Sequence, residues 1–316
     1  MCILAQLYTD TSAFFNGFKS IIPSTTAVLS HSVNPSATYF YRANCPSIPF
    51  TPTIPSSLPH HDVLAIAIPH NASISSPLES PLSDILPIIQ SPSKPKWILV
   101  EYIRTVLRPT KSADLHIFLS HFETNGYKMK YSPLNTSHVT PIPHNRDRLY
   151  IIGSLDHEAI HKFTFPEKLQ TTHRPITEFL DAPETIPAKY YYTEADKIYP
   201  TLKEHITIQN RIYQFRRYYV RENKTGKCPT LSPNMGRGGN NVPMLLDQKG
   251  IRKLTPRECF KLQGFPSITI PSGEKPQKPL ADTHLYRLAG NSPNVDTIAK
   301  LAHQILKVDP SLLNAI

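Results

Sequence analysis

The sequence predicts an α/β protein with a mostly parallel sheet and a second, smaller, loop-rich lobe. In the first half of the chain, apolar segments of strand length alternate with segments of helical periodicity, the pattern of a parallel sheet covered by helices. After about residue 155 the sequence becomes basic and is interrupted by glycine and proline, as in SPNMGRGGNNVP (232–243). We expect the smaller lobe in that part of the chain.

Five near-continuous apolar segments are the expected strands, because strands buried on both faces of a sheet lack polar alternation. They are ILAQLY (3–8), TAVLSHSV (26–33), DVLAIAI (62–68), KWILVEYI (96–103) and RDRLYIIGS (146–154). Helices are predicted for residues 12–19, for DLHIFLSHFETNGY (114–127) with Gly126 as its C-cap, and for NVDTIAKLAHQILKV (294–308). Eleven of the 32 prolines lie between Pro46 and Pro95, and we expect them to exclude long helices there.

Composition limits the class of protein. No run approaches the roughly 18–20 apolar residues of a membrane span, and the N-terminus lacks the layout of a signal peptide. The cysteines are scattered, without a CxxC pair or zinc-finger spacing: Cys2, Cys45, Cys228 and Cys259. We therefore expect reduced thiols, no metal site and a cytosolic protein.

The net charge of +10 is unevenly distributed. Residues 1–100 carry four basic and four acidic side chains, whereas residues 201–260 carry twelve Lys or Arg against four Asp or Glu. Basic residues interleaved with aromatics, as in RIYQFRRYYVREN (211–223), suit a polyanion such as nucleic acid. The alternative is a solvated edge strand whose charges discourage aggregation.

Several segments resemble motifs of the cytosine-5 DNA methyltransferases, in particular of bacterial members. RKLTPRECFKLQGFP (252–266) and LYRLAGNSPNVDTIAKLAHQI (285–305) resemble their C-terminal signature, and PHNRDRLYIIG (143–153) resembles their PQxRxR strand. The basic stretch at 213–243 is similar to their target-recognition lobe. The resemblance implies a Rossmann-like methyltransferase sheet in residues 1–160, completed by helix segment 285–316, and a smaller DNA target-recognition lobe in residues 161–284.

In this family a cysteine thiolate in a Pro-Cys-Gln turn attacks C6 of a cytosine that has been flipped out of the duplex. The segment AIAIPHNAS (65–73) aligns with that turn, so His70 replaces the nucleophile and Asn71 the glutamine. Because imidazole does not replace a soft thiolate in this addition, we interpret His70 as a vestige. The alternative, a base or metal ligand of different chemistry, would need a partner such as Glu101.

Other positions that the resemblance assigns to the flipped base are retained. Glu101 in VEYI keeps the glutamate that holds cytosine N3, although Tyr102 replaces the family's asparagine. Arg146 and Arg148 keep both arginines of the PQxRxR strand, with His144 in place of its glutamine.

The positions that the family uses for S-adenosylmethionine are degenerate. Glycines that let backbone approach the cofactor are replaced by Asp10, Ser12 and Ala13, and Asp10 would repel its carboxylate. Ser32 occupies the position at which the family has an acidic residue that binds the ribose of the cofactor. Asn291 and Ser292 belong to the closing helix that lines this pocket in active relatives, and here we expect them to fasten the C-terminus to the sheet. We expect no tightly bound S-adenosylmethionine.

The arginines expected to face DNA are retained, namely Arg216, Arg217, Arg221, Arg237 and Arg257. The first three are spaced to reach phosphates or guanine edges from a strand and its following loop. Arg257 lies at the start of a helix whose dipole favours phosphate, although Thr255 and Pro256 also fit an ordinary helix cap.

These features predict a catalytically inactive cytosine-5 DNA methyltransferase homologue that binds double-stranded DNA and serves as regulatory or recognition subunit of an active cytosine-5 methyltransferase. That partner would carry the S-adenosylmethionine. The alternatives are an active S-adenosylmethionine-dependent enzyme and a stand-alone DNA-binding relic. We expect a docking face with a contiguous apolar patch in the charge-poor first hundred residues, and a location in a bacterial cytoplasm with the nucleoid.

Overall fold

The computed structural model describes residues 1–55, 57–68, 79–110, 112–238, 241–271 and 280–313, with the backbone alone for residues 79 and 80. His70 and Asn71 lie outside the described residues. The strands are β1 (Ile3–Leu7), β2 (Thr26–His31), β3 (Phe50–Thr51), β4 (Val63–Ala67), β5 (Trp97–Ile103), β6 (Lys128–Asn135), β7 (His144–Asn145), β8 (Asp147–Ser154), β9 (Tyr213–Arg216), β10 (Tyr219–Glu222), β11 (Cys228–Pro229), β12 (Met244–Leu246) and β13 (Ile251–Lys253). The α-helices are α1 (Ala13–Ile21), α2 (Pro35–Asn44), α3 (Glu79–Gln90), α4 (Ser112–Glu123), α5 (Thr136–Val139), α6 (His157–Lys162), α7 (Tyr199–His205), α8 (Pro256–Leu262), α9 (Asp282–Asn291) and α10 (Val295–Val308).

Seven strands form one large sheet in the order β3-β2-β1-β4-β5-β8-β6. Strands β3, β2, β1, β4 and β5 run parallel to one another, whereas β8 runs antiparallel to both β5 and β6. The predicted α/β class with a mostly parallel sheet is confirmed, and all five predicted segments form strands. Because the strand order reverses at β1, the carboxyl ends of β1, β2, β4 and β5 form the edge where α/β proteins place their sites.

Helices cover both faces of this sheet. On one face α1 packs against α10 so closely that a Cβ on Gly17 would come within 2.6 Å of Ile298. On the other face α3 and α4 bury their apolar side chains against the same strands. The predicted helices at 12–19, 114–127 and 294–308 correspond to α1, α4 and α10. Gly126 ends α4 with a φ of 92°, and the next amide, that of Tyr127, donates to the carbonyl of Phe122.

The expectation that prolines exclude long helices from the region of Pro46–Pro95 is wrong. Helix α3 has twelve residues and contains Pro87. Leu82, Ile85 and Ile89 of this helix are buried in the core. Their burial offsets the hydrogen bond that the proline cannot donate.

A second sheet is antiparallel, with the strand order β10-β9-β12-β13. Its own small core consists of Leu202, Ile206, Tyr213, Met244 and Ile251. Buried Arg252 of β13 connects this sheet to α8. Its Nε donates to Asp247 at 2.6 Å, and its Nη2 donates to Glu258 of α8 at 2.8 Å. The predicted smaller lobe is therefore present beside the large sheet.

Two surface properties bear on the predicted partners. No helix in the described ranges is long and apolar enough to cross a membrane. The expected apolar patch in residues 1–100 is not found among the described residues, where Val33 is the only exposed large apolar side chain. The described apolar side chains of this region pack into the cores on the two faces of the sheet, and the docking face stays a prediction from sequence.

Candidate active site and nucleic-acid interface

Glu101 is the centre of a buried polar cluster near the carboxyl edge of the large sheet. It lies in β5, opposite Ala67 of β4 on one side and Tyr150 of β8 on the other. Arg146 Nη2 donates to Glu101 Oε1 at 2.7 Å, and the Tyr150 hydroxyl donates to Oε2 at 2.8 Å. The carboxylate is 4% exposed, so its charge is stabilised by these internal donors.

The two predicted arginines join this cluster. Arg146 also donates through Nη1 to the Gly290 carbonyl at 3.2 Å, which connects β8 to the end of α9. Arg148 Nε lies 3.8 Å from Glu101 Oε1. Burial and the neighbouring Arg146 lower the pKa of Arg148 to about 10, so it stays cationic at neutral pH. The structure thus brings Glu101, Arg146 and Arg148 together, as the sequence predicts.

The segment that carries His70 begins beside this cluster. The amide of Ile68, the last described residue after β4, donates to the Glu101 carbonyl at 3.0 Å. His70 lies outside the described residues, so its role as the residue at the nucleophile position stays a prediction from sequence.

All four cysteines of the chain are buried free thiols. Burial raises the pKa of Cys2 to about 12, and it also raises the pKa values of Cys45, Cys228 and Cys259. A thiolate is the nucleophilic form of cysteine, and these side chains hold thiols at neutral pH.

A second polar cluster is centred on Asp10, in the loop between β1 and α1. Its carboxylate accepts hydrogen bonds from Ser32 Oγ at 2.6 Å, Asn34 Nδ2 at 2.8 Å and Asn291 Nδ2 at 2.7 Å. These donors come from the loop after β2, from the N-cap of α2 and from the last turn of α9. Asp10 is 6% exposed. One carboxylate therefore connects Ser32 and Asn291, which the sequence predicts at a ligand site, and also Asn34, which it does not.

Neighbouring contacts close the same region. Thr11 Oγ1 and Ser292 Oγ are 2.8 Å apart, and the Tyr41 hydroxyl donates to the Thr11 carbonyl at 2.7 Å. Ser12 is buried just before α1, and Ala13 begins that helix and packs into the core. Ser292 and Asn291 thus fasten the end of α9 to the loop after β1.

Three of the five predicted DNA-facing arginines lie on one hairpin. Arg216 ends β9, Arg217 stands in the turn and Arg221 lies in β10, and all three are exposed. The tip also carries Tyr218, which is 90% exposed. The sequence predicted a strand and a loop here, and the structure instead has two paired strands.

Arg237 and Arg257 occupy other surfaces. Arg237 lines a cleft of about 460 Å³ together with Asn34, His284 and Arg287, next to the Asp10 cluster. Arg257 is exposed on α8, which begins with the capping box of Thr255 and Glu258. The helix-cap interpretation of this segment is confirmed.

Among the described residues, no three or more His, Cys, Asp or Glu side chains are grouped so that they could hold a metal ion. Sequence reasoning missed three site residues: Tyr150, Asn34 and Gln214. Gln214 lies in β9 and its Oε1 accepts hydrogen bonds from Arg216 and Arg221. Tyr150 could be recognised only after strand register placed it opposite Glu101. Asn34 had a sequence signal, since it precedes Pro35 as a helix N-cap.

The sheet order, the polar cluster at its carboxyl edge and the added antiparallel lobe define a Rossmann-like methyltransferase fold. Solved structures agree. A DNMT2 variant of Spodoptera frugiperda superposes with a TM-score of 0.72 at 15% identity, over 97% of this chain and 100% of that one. S. pombe Dnmt2 gives 0.70 at 17% identity, over 97% and 99%. At these identities the likeness concerns the fold alone.

A sequence model of the C-5 cytosine-specific DNA methylases matches residues 12–307, and this chain belongs to that family. The type II methyltransferase M.Bsp6I of Bacillus sp. (strain RFL6) is 41% identical over 218 residues, covering 68% of this chain and 66% of that protein, slightly under two thirds of its length. The type II methyltransferase M.NlaX of Neisseria lactamica is 26% identical over 315 residues, covering 96% and 95%.

Proposed function

We propose that this chain is a catalytically inactive member of its family that binds double-stranded DNA. The observation that carries the proposal is the state of its cysteines: all four are buried, and burial raises their thiol pKa values. A chain without an accessible thiolate lacks the nucleophile that adds to C6 of cytosine.

The residues at the cofactor position do not suit S-adenosylmethionine. The Asp10 carboxylate stands where the family has a glycine, beside the expected place of the cofactor's own carboxylate, and like charges there repel. Ser32 and Asn291, which would face a ligand, donate to Asp10 instead. A ligand would have to break these buried hydrogen bonds, and no carboxylate remains at Ser32 to accept ribose hydroxyls.

The DNA-binding part of the proposal rests on the exposed arginines. Arg216, Arg217 and Arg221 share one hairpin of the smaller lobe, which we assign to residues 161–284. Basic side chains that release counterions from DNA supply most of its non-specific affinity. DNA binding would place the protein with the nucleoid in a bacterial cytoplasm.

We further propose that the chain acts as a regulatory or recognition subunit of an active cytosine-5 DNA methyltransferase. That partner would carry the cysteine nucleophile and S-adenosylmethionine. The charge-poor first hundred residues, part of which lies outside the described residues, are the proposed docking face for that partner. Co-expression with methyltransferases encoded nearby, followed by light scattering and turnover assays with duplex DNA, tests this proposal. If this chain changes neither the assembly of such a methyltransferase nor its DNA affinity nor its turnover, the stand-alone DNA-binding relic is the remaining alternative.

Two titrations of the purified chain test the core of the proposal. Calorimetry with S-adenosylmethionine should show no micromolar binding, whereas a mobility-shift titration with duplex DNA should show binding that weakens as salt increases. Micromolar cofactor affinity would contradict the inactive assignment. Failure to bind any duplex at low salt would contradict the DNA-binding assignment.

A further inference from the structure

The cleft beside the Asp10 cluster is lined by donors and positive charge. It has a volume of about 460 Å³ and lies between α9, the first turn of α2 and the loop that carries Arg237. Small-molecule sites have volumes of roughly 300–1,000 Å³. Among the described residues no carboxylate lines this cleft, and its polar side chains are those of Asn34, Ser36, Arg237, Thr283, His284 and Arg287. The cleft therefore suits an anionic ligand of small-molecule size.

The two guanidinium groups of the cleft are available to such a ligand. Within the part of the chain that the structure describes, the side chains of Arg237 and Arg287 form no hydrogen bond or ion pair. Arg146, Arg211 and Arg252 are instead each paired with a carboxylate. Five N–H donors on each guanidinium of the cleft are thus free for an external acceptor. Because the two cations also repel each other, an anion bound between them would relieve that repulsion.

His284 is held at the same cleft by a buried hydroxyl. Its Nδ1 lies 3.0 Å from Ser36 Oγ. The hydroxyl can donate to Nδ1, which places the proton of a neutral imidazole on Nε2 and makes that atom a further donor. Asn34 lines the cleft and also donates through Nδ2 to Asp10 at 2.8 Å. None of the described residues that line the cleft is one that the family resemblance assigns to S-adenosylmethionine, so this is a separate site.

We propose that this cleft binds the phosphate or diphosphate group of a free small molecule. Arginine donates paired hydrogen bonds to phosphate oxygens, and a phosphate monoester carries nearly two negative charges and three acceptor oxygens at neutral pH. Two guanidinium groups, an imidazole and a hydroxyl match that charge and number of acceptors. Asn34, Arg237 and Arg287 belong to three separate segments, so a bound phosphate group would connect them.

The shape of the site favours a small molecule over the backbone of DNA. Duplex phosphates lie on the convex surface of a rod, whereas these donors line a concave cleft. The exposed hairpin arginines Arg216, Arg217 and Arg221 form no part of its described lining. The inference therefore does not depend on the proposed DNA binding.

Isothermal titration calorimetry of the purified full chain with inorganic pyrophosphate tests this inference, with sodium chloride of the same ionic strength as the blank. The wild type should bind one pyrophosphate per chain with a submillimolar Kd. Arg237→Ala and Arg287→Ala should each weaken this binding roughly 10- to 100-fold, because each removes a charged donor. The matched control is Arg42→Ala, an exposed arginine of α2 outside the described lining, which should leave the affinity within about twofold of the wild type.

A second titration with pyrophosphate, in the presence of saturating duplex DNA, distinguishes the two sources of phosphate. We expect pyrophosphate still to bind. Its complete displacement by duplex would show that a DNA phosphate occupies the cleft and would overturn the inference. No heat beyond the chloride blank, or wild-type affinity in both Arg237→Ala and Arg287→Ala, would also overturn it. A chain that binds pyrophosphate but no duplex would retain this inference and lose the proposed DNA binding.

Discussion

The Asp10 carboxylate joins the loop after β2 to the end of α9 through buried hydrogen bonds. The family resemblance predicts that Asp10 weakens binding of S-adenosylmethionine, because a carboxylate replaces a glycine in the turn after the first strand. The sequence could not predict its new partners, since Ser32, Asn34 and Asn291 lie 22, 24 and 281 residues away. Only the parallel strand order brings these loops to one edge.

Replacing Asp10 by Ala should destabilise the fold. Ser32, Asn34 and Asn291 would lose a charged acceptor, which should lower the free energy of unfolding by about 2–4 kcal/mol. Urea denaturation measures this, with exposed Glu167→Ala as the control, expected within about 0.5 kcal/mol of the wild type. Equal stability of the Asp10 variant and the wild type would show that the cluster does not stabilise the fold.

Arg217 has a left-handed backbone with a φ of 55°, which is unfavourable for a residue with a Cβ. Arg217→Gly should therefore raise the free energy of unfolding by about 1 kcal/mol. It should also reduce the slope of log affinity against log salt by about 0.9 if Arg217 contacts one phosphate. If Arg217→Gly stabilises the fold and weakens DNA binding, Arg217 is a residue retained for DNA binding at a cost in stability. A variant that is less stable, or that has an unchanged slope, would argue against this interpretation.

His144 gives the fold a distinct pH dependence. Burial, together with Arg146 and Arg148, lowers its pKa to about 3, and Nε2 accepts from the Leu231 amide at 3.3 Å. The unfolded chain takes up this proton below about pH 6.5 while the folded chain does not, so stability falls by about 1.4 kcal/mol per pH unit toward pH 4.

The variant His144→Gln isolates this effect, because glutamine can accept from Leu231 without titrating. Thermal or urea unfolding of both proteins from pH 7 to pH 4 should show the wild type losing about 3 kcal/mol more than the variant. Parallel stability curves would mean that His144 does not remain neutral in the folded protein.

Among the secondary-structure elements, the strands and helices of the large sheet could be predicted because each has a strong apolar pattern. Helix α3 could not be predicted, because its prolines argue against a helix. Its apolar residues are nevertheless spaced so that they can be buried against the sheet. The β9–β10 hairpin was predicted as a strand and loop because its turn, Arg217 and Tyr218, lacks the usual glycine or asparagine. The register of β9 and β10 places Arg216 and Arg221 on the same face of the hairpin.

The small antiparallel sheet should depend on the buried Arg252. Arg252→Leu would leave Asp247 and Glu258 buried without their cation and should cost about 3–5 kcal/mol. The matched control is Arg211→Leu, whose partner Glu222 is part-exposed, and it should cost at most about 1 kcal/mol. Circular dichroism melts of the two variants test this. Similar losses in both would mean that burial of the Arg252 pair does not matter to the lobe.

For the whole molecule, two polar clusters and one basic hairpin are set on the methyltransferase fold. The large sheet and the second lobe have the methyltransferase fold, Glu101, Arg146 and Arg148 form a buried cluster near the carboxyl edge of the sheet, and the exposed arginines make the hairpin basic. The loop after β1 is instead joined to the end of α9 by internal hydrogen bonds. Under the proposed function, a chain with this combination presents DNA-binding side chains and does not carry out methyl transfer.

Transfer of labelled methyl from S-adenosylmethionine to duplex DNA by the purified chain tests this account most directly. A type II relative such as M.NlaX serves as the positive control. We expect no transfer above background from the wild type, and none from His70→Cys, because Asp10, Ser32 and Asn291 still form the closed cluster. Methyl transfer by the wild type would contradict the inactive assignment, and transfer by His70→Cys alone would show that the cofactor site is functional.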